Sequence, residues 1–202
     1  MKYKNVFIIG TSHIAKQSIN DVKDFIANQK PDIVAVELDR SRLAALSSGR
    51  RSKFSFSTVR RIGFGGFLFS LIGAWIERKL GEKVGVTPGS EMLTAVKLAQ
   101  QSGARIALID QDIGITLKRF SDVFGRKDIL NLFVDVLKGI FFRKSLFSFD
   151  LKKVPSTEVV SRLINEVKAR YPNLYLVLVE ERNVVMARRI SEIISEFPEK
   201  RV

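Results

Sequence analysis

The sequence predicts an α/β fold in which helices flank a mostly parallel central sheet. Short apolar runs of the kind that parallel sheets bury on both faces recur along the chain. Amphipathic stretches of helical length separate these runs, and most of the runs are followed by carboxylates. The 202 residues, 46% hydrophobic and 27% charged, suit a single globular domain with a substantial core.

Four apolar runs are predicted as strands: 6–9, 33–38, 105–110 and 174–179. An amphipathic helix over 15–29 joins the first two strands, which predicts a right-handed parallel crossover. A second helix begins near 88–91, where Ser90 or Thr87 is a candidate N-cap and Glu91 suits the helix dipole. A third helix, from about 156 to 170, precedes the last strand.

Two basic segments, 47–83 and 120–153, are predicted as helical insertions within the single domain of residues 1–202. The first contains an uncharged run over 63–76 that is shorter than the roughly 18 apolar residues needed to span a bilayer. A hairpin or bundle helix is favoured there, with an interfacial or partner-binding helix as the alternative. In the second, inward packing of the aromatic side chains is favoured over lipid or nucleic-acid contact. Its phenylalanines include Phe133, Phe141, Phe142, Phe147 and Phe149.

The amino-acid composition limits the kinds of functional site that the chain can form. With no cysteine in the chain, disulfides, thiolate zinc sites and cysteine nucleophiles are excluded, so any metal must use nitrogen and oxygen ligands. No phosphate-binding loop, dinucleotide fingerprint or nucleophile elbow is present, so no nucleotide cofactor is expected. The net charge of +13 favours an anionic partner, and a lipid surface is preferred to nucleic acid.

The only histidine, His13, lies in Gly10-Thr11-Ser12-His13 at a predicted strand-to-helix turn. Carboxylate pairs end the later strands: Glu37 with Asp39, Asp110 with Asp112, and Glu180 with Glu181. In a parallel sheet these ends share one edge with His13, and open α/β sheets bind ligands at that edge. Since neighbouring residues of a strand point to opposite faces, we expect Glu37, Asp110 and Glu181 to share the site.

Each of these residues also has a structural explanation. Asp39 and Asp112 are candidate N-caps, Glu180 and Glu181 could occupy a helix N-terminus, and a lone histidine is commonly solvated. Together, one imidazole and two or three carboxylates predict a hard-metal or acid–base site, with Arg182 orienting a carboxylate or stabilising an oxyanion. Manganese, magnesium or cobalt fits these donors better than structural zinc.

Five motifs in order resemble the TraB/PrgY family, the pheromone-shutdown group. Its superfamily includes Tiki-type proteases, erythromycin-esterase-like proteins and haem-uptake ChaN-like proteins. The resemblance spans nearly the whole chain. The motifs are Gly10-Thr11-Ser12-His13, Val36-Glu37-Leu38-Asp39 with Arg42, Pro88-Gly89-Ser90-Glu91-Met92, Asp110-Gln111-Asp112, and Glu181-Arg182-Asn183 followed by Met186-Ala187.

This resemblance implies an erythromycin-esterase/ChaN-like α/β core. Its site would combine a GxxH motif, one or two glutamates, an arginine, and a second GxxH motif on a final strand. The first motif is Gly10 to His13; the second is missing, because the chain stops at 198–202, where that strand would begin. Impaired or absent activity is therefore expected. Residues expected to bind substrate or support the site are Gly10, Thr11, Arg42, Glu91, Asp110, Asp112 and Asn183.

The function implied by the resemblance is a metallopeptidase-like hydrolase acting on a peptide. His13 and Glu37 would bind a manganese, cobalt or zinc ion or a nucleophilic water. Glu181 would be a further metal ligand or the general base, and Arg182 would hold the substrate or a carboxylate. A non-catalytic peptide-sequestering or regulatory membrane module is the alternative. Family members commonly continue into C-terminal membrane helices, so membrane association is expected, with the cytoplasmic side slightly favoured. A homo-oligomer remains open.

Overall fold

The computed structural model describes residues 1–11, 16–48, 56–84, 88–125, 130–132, 134–135 and 157–202. The strands are β1 (Lys2–Tyr3), β2 (Val6–Phe7), β3 (Ile33–Val36) and β4 (Arg105–Leu108). The helices are α1 (Lys16–Gln29), α2 (Arg40–Ser48), α3 (Phe56–Val84), α4 (Ser90–Ser102), α5 (Ile113–Val123), α6 (Thr157–Arg170), α7 (Pro172–Tyr175) and α8 (Glu181–Glu196), with a π-helical turn over Leu176–Glu180 between the last two.

The pairing of β3 with β4 supplies one parallel pair of the kind that the sequence predicted. The two strands run parallel, with Ile33 opposite Arg105 and Val36 opposite Leu108. The predicted first strand is shorter than expected, and β2 pairs antiparallel with β1. The described residues thus form two small two-stranded sheets within a mostly helical α/β arrangement, rather than the predicted mostly parallel central sheet.

The predicted fourth strand, 174–179, is wrong. These residues form α7 and the π-helical turn, which continue directly into α8. Pro172 stands at the start of α7, where its fixed φ and missing N–H are compatible with a helix. Leu174, Val177 and Leu178, spaced one helical turn apart, pack together around Phe120 and Phe124. The apolar run is therefore one face of a helix.

Helices cover both faces of the β3–β4 pair. On one face, Val34 and Val36 pack with apolar residues of α1 and α4, among them Val22, Met92 and Val96. On the other face, Ile33 packs with apolar residues of α8 and with the chain terminus, including Ile190, Ile193 and Val202. This alternation follows from the two-residue period of a strand. It explains why both strands read as continuous apolar runs.

The last two residues lie between β2 and β3. Val202 donates its N–H to the carbonyl of Asn5 at 3.0 Å, and its own carbonyl accepts the N–H of Phe7 at 2.8 Å. On the other side, the Arg201 carbonyl accepts the N–H groups of Asp32 and Ile33, at 2.9 and 3.0 Å. Strands β2 and β3 are thereby connected through the chain terminus.

Helix α3 covers much of the first predicted insertion and is bent at Gly63, which has φ 76° and ψ 163°. Phe69 of α3 lies against Phe120 of α5, with ring centroids 4.4 Å apart, so this part of α3 packs on a neighbouring helix, as the sequence favoured. Most of the second insertion lies outside the described residues, including its five named phenylalanines. Among the helices that the structure describes, none combines the length and apolar character needed to cross a bilayer.

Candidate functional site

A cleft of about 210 Å³ lies between the residues of β2 and β3, and we call it the β2–β3 cleft. Its walls are largely apolar, and its polar side chains are Thr11, Glu37 and Glu91. Thr11 follows β2 and Glu37 follows β3, while Glu91 stands in the first turn of α4, the helix that runs back to the start of β4. The three side chains thus gather at the carboxyl ends of the strands, where α/β sheets place ligands.

Glu91 is the most buried of these three residues, with 1% of its surface exposed. It follows Gly89, whose left-handed backbone (φ 83°) occupies the N-cap position of α4 in place of the predicted Ser90 or Thr87 side chain. Thr87 itself lies outside the described residues. The N-terminal location favours a carboxylate electrostatically. Next to Glu91 in the sequence, the hydroxyl of Ser90 is buried and has no hydrogen-bond partner among the described residues.

The predicted histidine ligand, His13, lies outside the described residues, together with Ser12. The described part of that motif ends at Thr11, which lines the cleft. Gly10 has open space where a Cβ would stand, since no atom of the described residues comes within 4 Å. Glu37 is exposed at the end of β3 and lies close enough to Arg182 to interact with it electrostatically.

Asp110 is buried at the end of β4 and bound by arginines. Arg182 of α8 donates from Nε and Nη2 to its two carboxylate oxygens at 2.9 and 2.7 Å, and Arg42 of α2 approaches to 3.5 Å. This hydrogen bonding to Asp110 raises the pKa of Arg182, outweighing the effect of burial. Nη1 of Arg182 donates to the Leu178 carbonyl, so all three nitrogens of the guanidinium have partners.

Asp39 and Asp112 hold helix N-termini, which confirms the structural explanation for both. Asp39 Oδ1 accepts the N–H groups of Ser41 and Arg42 at the start of α2, at 2.7 and 2.9 Å. Its Oδ2 accepts the N–H of Ile113 at 3.2 Å, at the start of α5. Asp112 Oδ1 accepts the N–H of Gly114 at 2.7 Å. The carboxylates of Asp39 and Asp112 therefore satisfy backbone N–H groups at helix N-termini.

Glu181 lies in α8 rather than after a strand. Arg119 of α5 donates to its two oxygens at 2.6 and 3.3 Å, and this hydrogen bond raises the pKa of Arg119. Glu180, at the end of the π-helical turn, approaches Lys168 to 3.5 Å, and Asn183 is exposed on α8. The structure thus places Glu37, Asp110 and Glu181 in three different environments, of which only that of Glu37 is the β2–β3 cleft.

Sequence reasoning did not single out Arg189, which reinforces the end of β4. Its Nη1 donates to the carbonyl oxygens of Leu108 and Asp110, at 3.2 and 2.6 Å. Arg189 stands two helical turns after Arg182, so both face β4. The seven-residue spacing of Arg182 and Arg189 would have predicted this contact if the apolar run 174–179 had been interpreted as a helix.

Within the described residues, no three histidine, aspartate or glutamate side chains are grouped closely enough to hold a metal ion. Two carboxylates, Glu37 and Glu91, line the cleft and are hard oxygen donors of the kind that manganese and magnesium prefer. They fit part of a metal site. A further ligand would have to come from residues outside the described ranges, and His13 is only two residues beyond Thr11.

The sequence profile of the TraB/PrgY/gumN family matches residues 2–200. The chain belongs to this family. It is 36% identical over 194 residues to an uncharacterized protein of Methanocaldococcus jannaschii, covering 94% of this chain and 47% of the relative. It is also 26% and 25% identical over 195 residues to the human and mouse TraB domain-containing proteins, covering 90% of this chain and 50% of each relative. The chain thus spans about half the length of these relatives.

No solved structure matches this TraB/PrgY/gumN-family chain. The family match covers residues 2–200, so it includes the polar residues of the cleft, Thr11, Glu37 and Glu91. Membership in the TraB/PrgY/gumN family confirms the resemblance read from the five motifs.

Proposed function

We propose that this TraB/PrgY/gumN-family chain is the hydrolase domain of a metal-dependent enzyme that acts on a peptide. The observation that carries the proposal is the presence of Glu37 and Glu91 in one cleft at the carboxyl ends of β2 and β3. Apolar walls beside two carboxylates and a hydroxyl suit a peptide side chain next to a polar reaction centre. The cleft also adjoins the segment that leads to His13.

In this proposal Glu37 and His13 hold a divalent ion, and Glu91 is the proton carrier. The ion would supply Lewis acidity at the scissile carbonyl. Glu91, buried in the same cleft, accepts a proton from the attacking water as the C–O bond forms and delivers it to the nitrogen as the C–N bond breaks. We assign this role to Glu91 rather than Glu181 because Glu91 lines the cleft and Glu181 does not.

Arg182 is a positioning residue in this scheme. Both its Nε and Nη2 donate to Asp110, which fixes α8 against the end of β4. Its charge lies near Glu37. We infer that Arg182 holds α8 against the end of β4 without touching the substrate.

Calorimetry with Mn²⁺, Co²⁺ and Zn²⁺ tests the metal site. We expect binding by the parent chain and at least a tenfold weaker affinity in Glu37→Gln and in His13→Ala, because each change removes one ligand. Glu192→Gln, an exposed position on α8, is the matched control and should bind like the parent. Equal affinities in all four chains, or no binding to any, would overturn the metal assignment.

A peptide library analysed by mass spectrometry then separates catalysis from capture. Because the chain has one histidine and no second GxxH motif, we expect only slow cleavage by the parent, and Glu91→Gln should abolish it with metal affinity retained. Peptide retention without cleavage in every chain would instead establish the sequestering module that the sequence left as the alternative. The apolar walls of the cleft are compatible with this second function too, because they can hold a peptide side chain without cleaving the peptide.

Contact with an anionic membrane surface is proposed as the context of this activity. On α3, Phe64 is 68% exposed and follows two exposed arginines, Arg60 and Arg61. An apolar side chain next to cations is typical of an interfacial helix. Sedimentation with phosphatidylserine vesicles should show salt-sensitive binding that Phe64→Ser weakens, with Val184→Ser as the control at an exposed apolar position of α8, outside both insertions. Equal binding by all variants would remove this role of α3.

A further inference from the structure

A second cavity, of about 700 Å³, lies at the amino ends of β3 and β4, between the last turns of α1 and α4. We call it the amino-end cavity. It shares Ile26, Pro31 and Ile33 with the β2–β3 cleft but none of the polar residues named there. Glu91 of the cleft and Gln101 of this cavity stand about 15 Å apart along α4, at a rise of 1.5 Å per residue. A ligand here would occupy a place apart from the proposed hydrolase centre.

Cationic side chains dominate the polar lining of the amino-end cavity. Among the described residues, four cations and one carboxylate line it. The carboxylate, Asp32, forms a salt bridge with one of the cations, Lys200, at 3.0 Å. The other three cations have no ion-pair partner within the part of the chain that the structure describes; they are Lys23, Lys30 and Arg105. The cavity therefore has three positive charges that no neighbouring carboxylate of the described residues neutralises.

The ends of the two helices offset these charges only in part. Both α1 and α4 end at the cavity, and a helix C-terminus carries about half a negative charge. The carbonyls of Ala99 and Gln100 are already bonded to backbone N–H groups after α4, and that of Gln29 accepts Nη1 of Arg201. Two helix ends thus offset about one of the three charges. About two positive charges remain for a ligand to balance.

Lys30 has a backbone conformation that lysine rarely adopts. It follows α1 with φ 45°, in the left-handed region that glycine or asparagine usually occupies at a helix C-terminus. Its N–H closes the last turn by donating to the Ile26 carbonyl at 3.0 Å. Because glycine would make the same turn without strain, the end of α1 does not explain the lysine. Strained residues of this kind concentrate at binding and catalytic sites, and this one lines a cavity.

The rest of the wall is mostly apolar. Its aliphatic side chains come from α1, β3, α4 and the turn before β4; they are Ile26, Ala27, Ile33, Leu98 and Ala104. Phe197 also lines the cavity, and the guanidinium of Arg105 lies 4.6 Å from the centroid of its ring. Small-molecule sites in proteins combine apolar walls with a few polar groups in this way, within volumes of about 300–1,000 Å³. A matching ligand has an anionic group and an apolar body.

We propose that the amino-end cavity binds a phosphate monoester that carries an apolar group. A phosphate monoester has nearly two negative charges at pH 7, which matches the charge left at the cavity, whereas a carboxylate has one. Its terminal oxygens accept hydrogen bonds from Lys23, Lys30 and Arg105. The apolar group lies on Ile33 and Leu98. Lysine and arginine side chains can form such a site in a chain that has no phosphate-binding loop.

An NMR titration of the 202-residue chain with octyl phosphate tests the proposal, with inorganic phosphate, octanol and octanoate as comparison ligands. The amide signals of Ala27, Gly103 and Ala104, which line the cavity, should shift most. We expect octyl phosphate to bind at least about tenfold more tightly than the other three, because each of them lacks the apolar group or part of the charge. Equal affinity for inorganic phosphate or for octanoate would overturn the proposal.

Two lysines with the same rare backbone conformation provide a matched pair of variants. Lys30→Gly removes a cation from the cavity, whereas Lys4→Gly removes one from the turn between β1 and β2, where φ is 51°. Neither should lower the midpoint of urea denaturation, because glycine adopts this conformation freely. Lys30→Gly should weaken octyl phosphate binding at least about fivefold, and Lys4→Gly should change it by less than about twofold. Equal weakening by both would indicate attraction to the net charge alone and would overturn the proposal.

A second pair of variants adds a carboxylate instead of removing a cation. Ala27→Glu places it in the cavity, at an exposed position of α1, and Asn28→Glu places it at the next position, outside the cavity. Glutamate is a good helix former, so α1 should tolerate both. Ala27→Glu should abolish octyl phosphate binding, and Asn28→Glu should retain most of it. Binding by Ala27→Glu equal to that of the parent would overturn the proposal. These titrations do not depend on metal binding or peptide cleavage at the β2–β3 cleft.

Discussion

Arg182 and Asp110 form a two-point ion pair that joins α8 to the end of β4, with nitrogen–oxygen distances of 2.9 and 2.7 Å. The Asp110 side chain is 3% exposed and that of Arg182 is 27% exposed. A carboxylate this deeply buried requires its partners, because an unpaired charge in such a place is strongly destabilising. The pair therefore orients the helix that covers one face of β3 and β4.

Arg182→Lys should lower the free energy of unfolding by about 1–3 kcal/mol, because lysine keeps the charge but cannot bind both oxygens at once. Arg188→Lys is the matched control at an exposed position of α8 and should change it by less than about 0.5 kcal/mol. Urea denaturation measures both. A loss of similar size in the two variants would contradict the role given to Arg182.

The carboxylate of Asp39 contacts the N-termini of two helices. Asp39→Ala should therefore lower the stability of the protein more than Asp112→Ala. Asp39→Ala removes acceptors from the N-termini of both α2 and α5, so it should cost about 2 kcal/mol if each cap contributes the usual ~1 kcal/mol. Asp112→Ala removes a single, exposed cap on α5 and should cost about 1 kcal/mol or less. Thermal denaturation of both variants checks the order, and equal losses would exclude the double cap.

The sequence predicted those helices and strands whose patterns depend only on residues that are close together in the chain. Helices α1 and α6 begin and end close to the expected residues, α4 begins where expected, and β3 and β4 pair in parallel as expected. Their amphipathic and continuous apolar patterns depend on neighbours in sequence. Asp39 and Asp112 were recognisable as N-caps for the same reason, because each precedes a helix directly.

The run 174–179 shows what a local sequence pattern does not distinguish. Six apolar residues are compatible with a buried strand and with one face of a helix, and periodicity alone does not separate the two. The partner that decides is distant in sequence: Phe120 and Phe124 stack with centroids 4.1 Å apart, and Val177 packs against them. Since Glu181 and Arg182 follow this run, the error also misplaced them. Glu37, after the correctly predicted β3, is where the sequence expected it, at the end of a strand.

The bend in α3 predicts opposite effects for two glycines of the same helix. Gly63 has φ 76°, and a Cβ there would meet Ser121 Oγ at 2.6 Å. Ser121 also bridges the bend, since its hydroxyl donates to the Ile62 carbonyl at 2.7 Å and accepts the N–H of Gly66 at 2.5 Å. Gly63→Ala should therefore destabilise the protein by about 1 kcal/mol or more.

Gly73 is the matched control for this substitution. It lies in the regular part of α3, with no atom of the described residues within 4 Å of a Cβ. Gly73→Ala should stabilise the protein by about 0.5–1 kcal/mol, because alanine loses less backbone entropy in a helix. Chemical denaturation of both variants measures the difference. Stabilisation by Gly63→Ala would show that the helix is not bent there in solution.

Asp32 predicts how acid affects the attachment of the chain terminus. The N–H of Arg201, followed by Nζ of Lys200, lowers the pKa of its carboxyl below 3.8. Because the folded pKa is lower than the unfolded pKa, the ionised carboxyl stabilises the folded state. This contribution is fully present above the unfolded pKa and is lost as the pH falls through the folded pKa. Acid should therefore loosen the attachment of Lys200 and Arg201 to Asp32.

Asp32→Asn tests this dependence, since asparagine keeps the shape but not the charge. The parent should be the more stable of the two near pH 6, and the difference should shrink as the pH falls below about 4. Glu199→Gln, at an exposed position close to the same segment, controls for the loss of one negative charge and should follow the parent more closely. Denaturation at a series of pH values measures all three chains. A difference that stays constant from about pH 6 to pH 2 would mean that Asp32 holds Arg201 through its shape alone, without its charge.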